Sequence, residues 1–301
     1  MKKLILAGGT GFLGQALIAH FKNEFDSIVI LSRAKGKTLE KVRYLQWDAK
    51  TFGDWCNELE GAHTILNLCG KSVDCRYTTK NMAEIFASRL DSTKIIGAAI
   101  LKCKQAPALW INGTSATIYR HSEDTAMTES KGEIGEGFSV EVCKAWEKVF
   151  DGFELPATRK VNMRISMVFG KTAGVYPVLM SVVKKGLGGT MGNGRQQVSW
   201  IHVEDFCKIV DWMMRHEKAK GVYNVVSEEP VRNKKLMQML RKKAGIFIGL
   251  PAAAWMLKIG AFIIGTETEL ILKSRYIIPE KLVSEGFKFK YRTMEECLAD
   301  L

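Results

Sequence analysis

Glycine, serine and arginine at set distances along the first third of the chain are the residues with chemistry to offer, and that chemistry is the holding of a phosphorylated nucleotide. Residues 4–14 read LILAGGTGFLG: an apolar run, then Gly8, Gly9, Thr10, Gly11, Phe12, Leu13 and Gly14. Gly8 suits a tight turn off a strand, Gly11 lets backbone approach a phosphate, and Gly14 lets a following helix pack closely. A pyrophosphate set against the helix start near Thr10, Gly11, Phe12 and Leu13 meets free N–H groups and the positive end of the helix dipole, so no lysine is needed. The context fits, with an amphipathic tract after the glycines and a second strand, SIVILSR, about twenty residues on.

That second strand ends in Ser32 and Arg33. An acid there binds a free ribose 2′-hydroxyl, whereas an arginine suits a 2′-phosphate, so the lack of an acid predicts NADP(H) in preference to NAD(H). A third strand, VRYLQWD, ends at Asp48, placed to meet an adenine amino group or to cap the next segment. The stretch 61–70, GAHTILNLCG, reads as a fourth strand, closing on Asn67, Leu68, Cys69 and Gly70, whose small residues let backbone run under the nicotinamide-side ribose. Arg89, on the polar side of a helical tract over 78–102, and Val168, near the end of VNMRISMVFGK, complete the expected cofactor set.

These residues need a scaffold, and the alternation of strand and helix supplies one. It predicts an α/β, Rossmann-type doubly wound parallel sheet over residues 1–170, completed by 200–226, with a smaller, mainly helical substrate lobe over 171–301. ALWINGTSATIY is the fifth strand, ending by Ser115 and Tyr119, where such sheets place chemistry. The passage GLGGTMGNGRQQVSWIHVEDF offers Asn193, Arg195 and His202 as substrate contacts, and the Arg195 fork suits a phosphate or carboxylate. For His202 a satisfied histidine between Ile201 and Val203 in a half-buried strand is the better reading.

Composition narrows the partners. With 301 residues, 47% hydrophobic and 25% charged, the chain can bury a sizeable core. The net charge of +12 comes from lysines scattered in ones and twos, without the basic arm or aromatic–basic interleaving of a nucleic-acid binder. Seven cysteines without a CxxC pair or zinc spacing suit free thiols in a reducing cytoplasm and imply no metal. The short apolar N-terminus leads into glycines and not into a cleavage site, so no signal peptide is expected. The hydrophobic tract 246–265 contains Gly249, Pro251, Gly260 and Gly265, and reads as a buried or substrate-facing helix, with no membrane partner expected. The expected partner is a small or nucleotide-linked polar, sugar-like substrate, with room for a phosphate on it, bound by a monomer or homodimer in the cytoplasm.

The motifs GGTGFLG, NLCGKSV, ASRLDST, GTSATIY, FSVEVCKAWE, GNGRQQVSWIHVEDF and the closing IIPEKLVSEGFKFKYRTMEECLADL span nearly the whole chain. On them the chain resembles an extended, atypical short-chain dehydrogenase/reductase of the NAD-dependent epimerase/dehydratase type. Within that type it is similar to the subfamily of nucleoside-diphosphate-sugar epimerases with a small C-terminal domain. The resemblance implies an NADP-dependent oxidoreductase or epimerase-like enzyme in which a tyrosinate, tuned by a lysine four residues on, takes a proton from a sugar hydroxyl oriented by a serine. Ser115 matches that serine. Where the YxxxK pair is expected stands Val140-Glu141-Val142-Cys143-Lys144, which keeps Lys144 and loses the tyrosine. Tyr119, four residues after Ser115, is the candidate substitute. The alternative is a non-catalytic NADP(H)-binding sensor or regulatory protein.

Overall fold

The computed structural model describes residues 1–34, 36, 38–257, 267 and 269–301. Seven strands form the central sheet: β1 (Lys3–Ala7), β2 (Ser27–Ser32), β3 (Val42–Gln46), β4 (Thr64–Asn67), β5 (Leu109–Ser115), β6 (Arg159–Ile165) and β10 (Gly221–Val225). Their order is β3-β2-β1-β4-β5-β6-β10, with every pair parallel. This is the doubly wound order, and it reverses between β1 and β4, the edge at which such sheets bind ligands.

Both faces are covered, as a sheet of buried parallel strands requires. Helices α1 (Phe12–Phe21) and α5 (Val203–Arg215) lie on one face, where Leu17, Phe21, Ile28, Met163, Phe206 and Ile209 form the core. Helices α2 (Thr79–Ile100) and α3 (Phe138–Asp151) cover the other, over Trp47, Trp55, Ile96, Trp110 and Phe150. A third apolar cluster, with Phe169, Trp200, Leu236, Met237 and Cys297 at its centre, belongs to the C-terminal lobe. It is built from α4 (Val175–Val182), α6 (Asn233–Ala244) and the closing α9 (Met294–Asp300), which follows the short α8 (Glu280–Ser284). The buried Asp205 carboxylate ties the two parts together by accepting from the backbone N–H groups of Lys290 and Tyr291 at 3.0 and 2.9 Å.

Two expectations need correction. The sixth strand divides at Ser166: β5 ends opposite Ile165, and beyond that residue the central sheet offers only the Val225 carbonyl of β10, to which the Ser166 N–H donates at 3.3 Å. It continues as β7 (Met167–Phe169), which pairs in parallel with β9 (Trp200–His202), just after the short β8 (Gln197–Val198), in a separate two-stranded sheet, and of the stretch 200–226 only β10 rejoins the central sheet. The tract 246–265 is not one helix. Gly245 takes the left-handed conformation (φ +68°) that ends α6, and residues 246–253 are irregular. The chain is helical over 254–257, and 258–266 lie outside the described residues. Among the described residues no helix is long and apolar enough to cross a membrane, and no three metal-ligating side chains gather.

The sheet's C-terminal edge is fixed by a buried ion pair. Arg164 of β6 donates to Glu147 of α3 through Nε at 2.8 Å and Nη2 at 2.7 Å, with about a tenth of each side chain exposed (11% and 10%). Burial opposes the guanidinium charge, but the bonds to Glu147 outweigh it and push the Arg164 pKa up. Breaking such a pair strands a buried charge, so Glu147→Ala is expected to cost about 3–5 kcal/mol in chemical denaturation, and Glu147→Leu with Arg164→Met to recover most of it. A loss under about 1 kcal/mol for the single change would place the pair in the solvent-screened class instead.

Candidate functional site

The glycine turn lies at the switch point between β1 and β4. Gly8 has φ +79°, and a Cβ there would lie 3.0 Å from the Leu68 and Cys69 backbone, so two chains meet at this glycine. At Gly14 a Cβ would lie 2.4 Å from Gly9 Cα, which makes Gly14 the residue that seats α1 on the turn. Gly11 differs, since the nearest atom to its Cβ is the Gly8 carbonyl oxygen at 3.9 Å. It is also the N-cap of α1, and no side chain caps that helix. The first N–H groups of α1 therefore have no side-chain cap, and the space beside Gly11 is open, which is what an anion at a helix N-terminus requires. Beside the turn, the Phe12 ring packs on Gly170 and Gly174, next to the buried Val168 of β7. Leu13 is half-buried and Thr10 exposed.

The rest of the expected cofactor set divides by what each side chain is already bonded to. Arg33 is exposed at the end of β2, while the Ser32 hydroxyl bonds within its own turn, to the Ala34 N–H at 3.1 Å. Asp48 is a cap: its carboxylate accepts from the Lys50 and Thr51 N–H groups, each at 2.8 Å, and from the Thr51 hydroxyl at 2.7 Å. Those bonds, the Thr51 N–H first, hold its pKa down at about 2. Asn67 is fully buried; its amide reaches Thr93 at 3.2 Å and Asn112 at 3.0 Å, and its oxygen accepts the Cys69 N–H at 3.1 Å. It shapes the backbone of Leu68, Cys69 and Gly70 without facing a ligand itself. Burial pushes the Cys69 thiol up to about 12, so it is no nucleophile. Arg89 lies under Gly70, donating to the Lys71 and Ile85 carbonyls at 3.1 Å and covering the Trp146 ring. Among the described residues no carboxylate pairs with it.

The structure places the expected catalytic residues apart. Ser115 ends β5 half-buried, its hydroxyl accepting the Thr117 N–H at 3.3 Å. Tyr119 is 1% exposed. Its hydroxyl accepts from Arg164 at 2.7 Å, with Asn224 Oδ1 at 2.9 Å and the Thr128 carbonyl at 3.1 Å ready for its proton. Burial raises its pKa over the opposing pull of Arg164, so Tyr119 is a structural donor and not a base. Lys144 is half-exposed and bonds Glu141 at 2.8 Å, on the outer face of α3. The stripe of α3 that does face the strand ends is Ser139, Cys143 and Glu147, at the i, i+4 spacing of one helix face. Serine and cysteine thus stand one turn apart where a tyrosine–lysine couple would act, and burial, its largest cause, pushes the Cys143 thiol up to about 12.

Around that stripe the fold assembles residues that the sequence reading missed. Tyr77, just before α2, brings its hydroxyl 3.3 Å from Ser139 Oγ, and Ser139 donates to Glu269 at 3.0 Å. Glu269 opens the short α7 (Glu269–Leu272), after which Lys273 donates to the Thr117 carbonyl at 2.8 Å and Arg275 to the Thr117 hydroxyl at 3.1 Å. Burial lowers the pKa of both Lys273 and Arg275. Arg120, His121, Glu136, Glu269, Leu272 and Lys273 line an open cleft of about 630 Å³ outside this group.

The expected substrate residues lie elsewhere. Arg195 is 70% exposed and pairs with Glu123 at 3.1 Å, and Asn193 donates to the same carboxylate at 3.1 Å, so Glu123 has a role that the sequence did not suggest. His202 is 3% exposed at the N-cap of α5, where Nδ1 accepts the Glu204 N–H at 3.2 Å, Nε2 faces Asp300 at 3.5 Å, and the ring packs on Tyr291. It caps a helix through Nδ1, and its buried Nε2 makes no hydrogen bond.

Comparison with known proteins follows the same lines. The sequence profile of the NAD dependent epimerase/dehydratase family matches residues 4–226, and that of a domain of unknown function matches 252–301. The Bacillus subtilis (strain 168) epimerase family protein YfhF is 30% identical over 299 residues, covering 99% of this chain and 97% of its own length. The crystal structure of human epimerase family protein SDR39U1 (isoform 2) with NADPH superposes with a TM-score of 0.85 at 23% identity, covering 99% of this chain and 98% of that one. MoeE5 in complex with UDP-glucuronic acid and NAD gives 0.78 at 15% identity, covering 99% and 96%. At these identities the superpositions show the fold.

Two measurements check these placements. Tyr119→Phe leaves an Arg164 N–H unpaired and is expected to cost about 1–3 kcal/mol in denaturant unfolding, whereas Lys144→Ala stays within about 0.5 kcal/mol. Burial first, against Asp300 and Glu204, holds the His202 pKa below its ordinary 6.5. Below that pH the unfolded chain takes up a proton that the folded ring refuses, so stability is full above it and falls as the pH drops through it. His202→Asn, which keeps an acceptor for the Glu204 N–H, is expected to flatten that part of the stability–pH curve; an unchanged slope would assign it to other groups.

Proposed function

The chain belongs to the NAD dependent epimerase/dehydratase family, and on that footing we propose that it is an NADP(H)-dependent, epimerase-like oxidoreductase with an atypical proton route. Its substrate is small, polar, sugar-like and anionic. The observation that carries the cofactor reading is the uncapped start of α1 with open space at Gly11. Arg33 beside that turn and the absence of an acid on β2 favour the 2′-phosphate form. The NADPH named with the human relative's structure agrees with this choice.

The bound nicotinamide would supply hydride transfer, and the chain would supply the rest. The α1 N–H groups would bind the pyrophosphate, Arg33 the 2′-phosphate, and the Ser115 edge would orient the substrate hydroxyl. With Tyr119 and Lys144 committed elsewhere, the proton would pass through Ser139 to the Glu269 carboxylate, a route supported by their 3.0 Å contact. Arg89, which has no carboxylate partner among the described residues, favours an anionic group on the substrate, whereas Lys273 on the cleft wall already faces Glu269 at 3.7 Å.

A second reading has its own observation. The loss of both members of the tyrosine–lysine couple from the inward stripe of α3 suits a protein that binds NADP(H) to sense it or to regulate a partner.

Gly11→Ala separates cofactor binding from folding. Its Cβ meets nothing closer than 3.9 Å in the protein, so the variant is expected to unfold like the parent while NADPH affinity falls about tenfold or more, because the methyl enters the phosphate's space. Unchanged affinity would remove the nucleotide from this turn. For the chemistry, the NADPH-loaded protein is mixed with keto-sugar nucleotides and simple carbonyl compounds while nicotinamide absorbance is followed. Oxidation that Glu269→Gln abolishes with binding intact supports the enzyme; binding without turnover across the panel supports the sensor.

A further inference from the structure

Thirteen large hydrophobic side chains are exposed among the described residues, and seven of them come from two short stretches, 178–187 and 247–256. Phe247 is 97% and Ile248 81% exposed, values that ordinary core or cleft residues do not reach. Leu187, Leu250, Trp255 and Met256 are exposed as well.

This is a built surface. The Leu250 N–H donates to the Gly186 carbonyl at 2.9 Å, the Leu250 carbonyl accepts from the Gly189 N–H at 3.1 Å, and the Ala252 N–H donates to the Thr190 carbonyl at 2.9 Å. A Cβ on Gly249 would lie 2.6 Å from the Gly188 carbonyl carbon, so the two chains touch backbone to backbone. Arg241 locks the join by donating to the Gly188 carbonyl at 2.6 Å. The chain is held here while the apolar side chains between the bonded backbone groups face outward.

The two stretches that build the tip carry charge of one sign, although Lys235 among them pairs with Glu295 at 2.8 Å. Residues 175–190 and 230–257 contain Lys184, Lys185, Arg232, Lys234, Lys235, Arg241, Lys242 and Lys243, and neither stretch has an aspartate or glutamate. Lys184, Lys185 and Lys242 are exposed, and among the described residues none of them pairs with a carboxylate. Lys184 and Lys185 directly precede Gly186, to which the tip is bonded, and Lys242 and Lys243 end the helix that leads into it.

From this juxtaposition we infer that the tip carrying Phe247, Ile248 and Leu250, ringed by Lys184, Lys185 and Lys242, docks on an anionic lipid surface. Aromatic and aliphatic side chains held out on a fixed turn enter the headgroup boundary, while flanking lysines reach the lipid phosphates. A second copy of the chain fits less well, because a two-fold contact would bring the same lysines face to face with no acid between them. The docking is peripheral and separate from the cleft beside Ser139. It gives the 246–253 stretch an apolar contact that does not require the helix expected from its sequence.

The test is co-sedimentation of the whole protein with vesicles of mixed phosphatidylglycerol and phosphatidylcholine, with vesicles of phosphatidylcholine alone as control. The parent is expected to pellet with the anionic vesicles only, and less at higher salt. Phe247→Ser with Ile248→Ser, and separately Lys184→Glu with Lys185→Glu, are each expected to weaken binding by about tenfold or more. Both pairs are on the surface, and matching unfolding curves show that the variants fold. No pelleting with either vesicle, or equal pelleting of parent and variants, overturns the inference. So does sedimentation velocity showing a dimer that the Phe247/Ile248 pair dissociates, which would make the patch a contact between copies. Binding to soluble polyglutamate but not to vesicles would reassign the surface to an acidic protein partner.

Discussion

The bidentate pair between Arg164 and Glu147 is the contact on which the arrangement of the site depends. It joins β6 to α3, and through Arg164 it captures the Tyr119 hydroxyl, which in turn reaches Asn224 of β10. Thr114 at the end of β5 donates to the same Glu147 at 3.2 Å. Three neighbouring strand ends and one helix are thereby held in register at the edge where chemistry is expected. With Glu147 fixed inward, the helix places Cys143 and Ser139, four and eight residues earlier, on the same inward face, and Lys144 outside. The pair therefore determines which side chains of α3 can meet a ligand, and it occupies the nearby tyrosine.

Much of the fold was legible in the sequence because its signals are local. The apolar runs of β1, β2, β4 and β5 and the helical spacing of α2 and α3 lie within single elements, and the glycine turn states its own backbone needs. The errors fell where the outcome depends on what the neighbour does. Ser166 looks like part of a continuing strand, yet the strand stops because β5 has already ended beside it. Residues 246–253 have the composition of a buried helix, but Gly245 ends α6 and the backbone of 250–252 bonds to 186–192 instead. Apolar composition said that the tract needed contact without saying which contact.

The site was half legible for the same reason. The Gly8–Gly11–Gly14 spacing fixed the cradle, and the structure gives each glycine a distinct reason for being there. Asn67 ends β4 as expected, whereas Asp48 lies two residues beyond the end of β3 at Gln46, and both side chains are spent on the turns there. The α3 stripe was within reach: Ser139, Cys143 and Glu147 share one face, and reading that face from Glu147 would have given the register that Val140 and Lys144 obscured. Glu269, Lys273 and Arg275 gave no local signal, since they meet Ser139 and Thr117 across 130 to 158 residues of chain. Only the packing of the C-terminal lobe brings them to the strand ends.

In the proposed function the glycine turn holds a dinucleotide and Arg33 reads its 2′-phosphate. The most direct measurement is a fluorescence titration of the parent and of Arg33→Ala with NADPH and, separately, NADH. The parent is expected to bind NADPH saturably and about tenfold or more tighter than NADH, with Arg33→Ala erasing most of the difference by weakening NADPH alone. Binding of neither nucleotide, or equal losses for both in the variant, would contradict it.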